Sequence, residues 1–128
     1  MKVLVDSSVW VEYFNEGNAS VLDFLIDENI VATNYVILSE LVPFLKMRRH
    51  NAVIELLRSI TQIPMNLDWE EIIFFQTQCL KKGSNGIGLP DLIIAQNAIQ
   101  NNCYIYSIDK HFALLNRAIG VQVYRSKD

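Results

Sequence analysis

The chain has 128 residues, 51% of them hydrophobic, a net charge of −3 and a pI of about 5.3. That suffices for one globular domain over residues 1–128, and it excludes a generally basic nucleic-acid binder while leaving room for a local basic patch beside an acidic site. No linker, repeat, signal peptide or membrane span is legible, and Cys79 and Cys103 stand alone in apolar contexts, as reduced core thiols in a cytoplasm would.

Val3-Leu4-Val5 is an unbroken apolar run, which suits a strand buried on both faces of a parallel sheet. Asp6 follows at once, so a carboxylate stands at the carboxyl end of that strand, where open α/β sheets bind ligands; a lone Asp there also suits a helix cap. Ser7 and Ser8 offer capping hydroxyls to a first helix continuing through Val9-Trp10-Val11-Glu12-Tyr13-Phe14. Asn18 is placed to cap a second helix from Ala19 to about Glu28, with Val21, Leu22, Leu25 and Ile26 on one face. Ile30-Val31-Ala32 reads as a second strand. Thr33 or Asn34 then caps a third helix, Tyr35 to about Arg49, which carries Glu40 and a kink expected at Pro43. Its closing run, Lys46-Met47-Arg48-Arg49-His50, suits the helix dipole and equally a contact with RNA phosphates.

A fourth helix, Ala52 to Ile60, is expected to turn Ile54, Leu56 and Leu57 inward, and Ile63-Pro64-Met65-Asn66 reads as an edge strand. Asp68 caps a fifth helix, Trp69 to about Lys82, whose aromatic spacing reads chiefly as core. The adjacent pairs Tyr13–Phe14 and Phe74–Phe75 cannot each share one narrow helical face, so some rings must reach the surface and mark interfaces. The glycine-rich loop 83–88 matches neither a Walker A loop nor a dinucleotide fingerprint. Leu89-Pro90-Asp91 opens a strongly apolar helix that ends at Asn101-Asn102. Cys103-Tyr104-Ile105-Tyr106 is a strand followed by Ser107-Ile108-Asp109. A last helix runs from about Lys110 to Ala118 and stops at Gly120, and Val121-Gln122-Val123-Tyr124 is the final strand. Strands alternating with helices predict an α/β fold, a parallel or mostly parallel sheet with helices on both faces.

Asp6, Glu40, Asp91 and Asp109 all stand in apolar sequence contexts, with no cation near in sequence to pair them. Gathered together they would repel one another, and a cation would be needed to hold them. Oxygen ligands select Mg²⁺ or Mn²⁺, and no Cys/His set points to zinc.

Asp6-Ser-Ser-Val-Trp, Ser39-Glu40-Leu41, Leu89-Pro-Asp91-Leu-Ile-Ile-Ala and Ser107-Ile-Asp109-Lys-His-Phe112 resemble, in order, the four acidic motifs of the PIN domain. The resemblance covers the whole chain. The short length without an appended domain looks most like the VapC-type ribonuclease toxins of toxin–antitoxin pairs. The resemblance implies a PIN-like three-layer fold with a five-stranded sheet of order 3-2-1-4-5, which sets the strands bearing Asp6 and Asp109 side by side. It also implies metal-dependent hydrolysis of RNA phosphodiesters, with Asp6 and Asp91 as direct ligands and Glu40 and Asp109 binding through water or orienting the nucleophile. Ser8 and Ser107 would support the carboxylates or simply cap helices. Lys46, Arg48 and Arg49 would hold substrate. Partners implied are a second copy of the chain and a small antitoxin whose cationic side chain displaces or mimics the metal. His111 departs from the family pattern, since many members carry a second Asp there. It stands as a weak ligand, proton carrier, stacking surface or plain surface residue. A free-standing PIN nuclease in RNA processing and an inert PIN-like binding module are the alternatives. A receiver domain lacks its acidic pair and late Lys here, and a haloacid-dehalogenase phosphatase lacks its second Asp, replaced by Ser8.

Overall fold

The computed structural model describes residues 1–16 and 20–125, so the expected cap at Asn18 lies outside the described residues. Strand β1, Val3–Val5, is fully buried and pairs in parallel with β2, Val31–Thr33, on one side and β4, Tyr104–Tyr106, on the other. β3, Thr61–Gln62, extends the sheet beyond β2, giving the order β3-β2-β1-β4. β1 carries no polar alternation because helices cover both faces of the sheet. Leu4 joins Ala32 and Ile105 in a core against α5 (Trp69–Lys81), α6 (Leu89–Gln100) and α7 (His111–Ile119). Val3 and Val5 point the other way. They pack with Trp10, Leu25, Leu41 and Leu57 of α1 (Ser7–Glu16), α2 (Ser20–Asp27), α3 (Tyr35–Met47) and α4 (Asn51–Ser59).

Several boundaries fall where the chemistry predicts. Asn34 caps α3 by accepting from the Ile37 amide at 2.9 Å, Asp68 caps α5 through Glu71, and Gly120 ends α7 at φ 79°. α3 runs unbroken through Pro43.

Four expectations are corrected. The fifth strand shrinks to one parallel bridge, Ile105 to Val123, so the sheet has four strands of order β3-β2-β1-β4 among the described residues. The third strand lies earlier than expected, at Thr61–Gln62, because pairing stops before Pro64, which has no N–H to give; the last ladder bond is Ile63 N–H to the Thr33 carbonyl at 2.8 Å. Leu56 is exposed, one position round α4 from the buried Ile54–Leu57 stripe. Trp69 and Phe74 are more than half exposed, while Ile72, Phe75 and Cys79 form the buried face of α5. The aromatic surplus therefore emerges on α5, whereas Trp10 of α1 is fully buried.

Candidate active site

The parallel order brings the carboxyl ends of β1 and β4 together, and the Asp6 amide donates to the Tyr106 carbonyl at 2.9 Å. Asp6 is buried, 6% exposed. Its Oδ2 accepts from Ser8 Oγ at 2.7 Å and Ser107 Oγ at 2.9 Å, and the two hydroxyls lie 3.3 Å apart. Ser107 also accepts from the Asp109 amide at 2.9 Å, which fixes the turn leaving β4. Asp91 enters from the first turn of α6 and Glu40 from α3, where Ser7 Oγ lies 3.5 Å from Glu40 Oε1. Asp6, Glu40, Asp91 and Asp109 thus line one cleft of about 610 Å³, with Ser7, Ser8, Glu12 and Asn15 of α1 along its wall.

The expectation that all four acids sit in apolar surroundings is corrected: only Asp6 is buried, Asp91 and Asp109 are intermediate, and Glu40 lies at the exposed rim. Leu41 and Val42, which follow Glu40 in sequence, face the core, but Glu40 itself lines the open cleft. The carboxylates still oppose one another's ionisation. Desolvation by the cleft walls, then the charges of Asp6 and Asp91, push the Glu40 carboxyl above its ordinary range, against a weak pull from Ser7. Asp91 is also pushed up, first by desolvation, with Asp109 and Asp6 adding to it and His111 opposing.

His111 faces the site. Its Nδ1 is 2.9 Å from Asp91 Oδ2 and 3.4 Å from Asp109 Oδ1, and its amide donates to Asp109 Oδ1 at 3.0 Å. Toward an ionised Asp91, which can only accept, Nδ1 would be the donor. Among the described residues, no Lys or Arg pairs with these carboxylates; the ion pairs there are those of His111.

Lys46, Arg48 and Arg49 do not line the cleft; all three are exposed at the end of α3. Arg48 lies over the Phe44 ring at 4.5 Å and donates to Asn15 Oδ1 at 3.1 Å, which ties it to the outer end of the cleft wall. Sequence reasoning missed Ser7, Glu12 and Asn15. Ser8, Glu12 and Asn15 follow helical i, i+4, i+7 spacing, the signal that sets them on one face.

A family model for the PIN domain matches residues 3–118. The chain belongs to the PIN domain family. PIN domains are generally nucleases that use divalent metal ions. Among curated proteins, none matches the chain significantly. Among solved structures, this PIN domain is similar to VapBC from Salmonella typhimurium in a DNA-bound complex, with a TM-score of 0.73 at 15% identity over 97% of each chain. It is also similar to VapBC2 from Rickettsia felis bound to a promoter DNA fragment, at 0.71 and 18%, over 97% of this chain and 98% of that one. FitAcB from Neisseria gonorrhoeae aligns at 0.69 and 20% over 96% of each chain. These likenesses extend the PIN fold over nearly the whole chain.

The raised carboxyls of Glu40 and Asp91 make a testable contribution to stability. Both folded-state values lie above the ordinary 4.5 and 3.8, so their contribution is fully present below those values and is lost as the pH rises through the raised ones. Glu40→Gln removes the larger exposed partner of this pair. In metal-free protein, its gain in melting temperature over the parent chain should widen from acid to neutral pH. A difference that stays constant across that range would show that Glu40 is not opposed by its neighbours.

Proposed function

We propose that this PIN domain, spanning residues 1–128, is a Mg²⁺- or Mn²⁺-dependent endoribonuclease and the toxin of a VapC-type toxin–antitoxin pair, acting in the cytoplasm. The observation that carries the reading is the convergence of Asp6, Glu40, Asp91 and Asp109 on one cleft with no Lys or Arg paired to them among the described residues. The donor set fits a hard cation: the ligand atoms on offer are carboxylate oxygens, and two of the carboxyls are driven toward the neutral form when no cation is present. Among the described residues, no three His, Cys, Asp or Glu side chains stand close enough together to hold an ion as they are.

In this reading Asp6 and Asp91 would be the direct ligands, and Glu40 and Asp109 would bind through water or orient the nucleophile. When bound, the metal supplies Lewis-acid polarisation of the phosphoryl oxygen and lowers the pKa of an attacking water. The chain's own residues do the positioning. Ser8 and Ser107 fix Asp6 through one oxygen and, among the described residues, leave the other free of protein partners. His111 fixes Asp91 in the same way, which gives the histidine an orienting role where many relatives carry an acid. Incubation with RNA and Mg²⁺ or Mn²⁺, against an EDTA control, tests the activity. RNA binding without metal-dependent cleavage would leave an inert PIN-like module.

Substrate must reach a cleft of like charge, and Arg48, bonded to the cleft-lining Asn15, sets a guanidinium beside it. Lys46, Arg48 and Arg49 are proposed to hold RNA phosphates there. Arg48→Gln with Arg49→Gln should weaken RNA binding and reduce the slope of log K against log salt by about 1.4, at about 0.7 per single-strand phosphate contact. An unchanged slope would leave these residues as helix-end charges.

Similarity to VapBC and FitAcB assemblies supports a small antitoxin partner, and the exposed rings of α5 support a homodimer. Expression alone should arrest growth, with rescue by the product of an adjacent small reading frame. Harmless expression of an RNase-active chain would make it a free-standing PIN nuclease instead.

A further inference from the structure

A second, smaller pocket of about 170 Å³ opens beside the acidic cleft, and the two share Glu12 and Ile108. Its walls are aliphatic (Val9, Val21, Leu22 and Ile108) and aromatic (Tyr13 and Tyr106), and Glu12 is its one carboxylate. Both rings are held in place: Tyr13 Oη donates to Asp23 Oδ1 at 3.1 Å, and Tyr106 packs edge-on against Tyr124 with centroids 5.8 Å apart. Glu12 is half-buried and, among the described residues, has no hydrogen-bond or ion-pair partner. None of the hydroxyls and imidazole that organise the four cleft carboxylates reaches it. A partnerless carboxylate beside a polyanion-binding cleft opposes binding, unless a ligand brings it hydrogen-bond donors.

We propose that this side pocket reads one unstacked base next to the scissile phosphate, and that Glu12 selects guanine. The inference rests on the nuclease reading above and names a base for that site. A largely apolar pocket with two tyrosine rings in its wall suits the face of a splayed-out base, the usual mode of single-strand RNA recognition. A carboxylate has two accepting oxygens and no donor. Guanine presents two adjacent donors, N1–H and the N2 amine, on its Watson–Crick edge and can engage both oxygens. Adenine and cytosine offer one exocyclic amine beside a ring acceptor that the carboxylate repels, and uracil sets a single N–H between two carbonyls. The shared wall of Glu12 and Ile108 makes the base pocket and the cleft neighbours, as a base and its own phosphate are.

Two measurements on the full chain test this. In NMR titrations without metal, guanosine should shift the Ile108, Val21 and Leu22 methyls more than adenosine, cytidine or uridine, and Glu12→Gln should abolish that difference. In cleavage of short single-stranded RNAs varied at one nucleotide beside the cut, the parent chain should favour guanine by about tenfold or more, and Glu12→Gln should collapse that ratio. Equal shifts from all four nucleosides, no shift from any, a different preferred base, or a preference that survives Glu12→Gln would overturn the proposal. Selective guanosine binding in a chain that cleaves no RNA would overturn the nuclease reading and leave the pocket standing.

Discussion

Asp6→Asn and Asp91→Asn chains should each lose RNA cleavage by more than about 100-fold while keeping the fold. Residues that merely orient metal ligands cost about 10–100-fold when removed, and direct ligands should exceed that range. The fold should survive because an amide oxygen still accepts. Asn at position 6 can take the Ser8 and Ser107 hydroxyls now given to Asp6 Oδ2, and Asn at position 91 can take the His111 Nδ1 proton. Metal-free stability should rise in both, since Asp6 and Asp91 each push the Glu40 carboxyl up. Ser107→Ala should fall between parent and ligand variants, because Ser8 still holds Asp6 at 2.7 Å. Full RNase activity in Asp91→Asn would remove Asp91 from the metal site, and a lowered melting temperature in the metal-free variants would refute the repulsion on which the cation argument stands.

Three of the four acids were legible because each lies at a place the backbone pattern marks, whereas mid-helix Glu40 does not. Asp6 ends an all-apolar strand, Asp109 follows another, and Asp91 sits one residue after a helix-opening Pro90. Glu12 and Asn15 were not, since periodicity on α1 tells which residues share a face and not whether that face meets a cleft or water. The strands at the sheet's margins were the least legible. Thr61–Gln62 is exposed at the edge and carries no apolar signature, and the apolar run Val121–Tyr124 spends its pairing on both sides of Ile105 alone. Gln96 and Asn97 look like interruptions in an apolar helix. In the fold they are buried, and Gln96 bonds both backbone groups of Asp68 while Asn97 bridges Asn34 to the Pro64 carbonyl. Such long-range pairings leave no local trace.

Replacing Trp10 with Ala should cost about 3–5 kcal/mol, the range for emptying a buried aromatic site. That is a large share of the roughly 5–15 kcal/mol that holds a domain together. Trp10 is fully buried, stacks on Phe14 at 6.0 Å and meets Tyr13 edge-on at 6.2 Å, and so presses α1 onto the Val3 and Val5 face of the sheet. The cleft face of the same helix carries Ser7, Ser8, Glu12 and Asn15. Loss of the indole should therefore loosen the hydroxyl that holds Asp6, and cleavage should drop by more than the unfolded fraction explains. Trp10→Phe separates packing from polarity. The indole Nε1 is buried and, among the described residues, has no hydrogen-bond partner, an arrangement that costs about 1–3 kcal/mol. Phe gives up part of the ring's contacts and removes that orphaned donor, so the two changes should largely offset. Denaturant unfolding of both variants checks this. A Phe variant as unstable as the Ala variant would mean that the indole N–H is satisfied in solution and that α1 is held by the full shape of the indole, not by its apolar body alone.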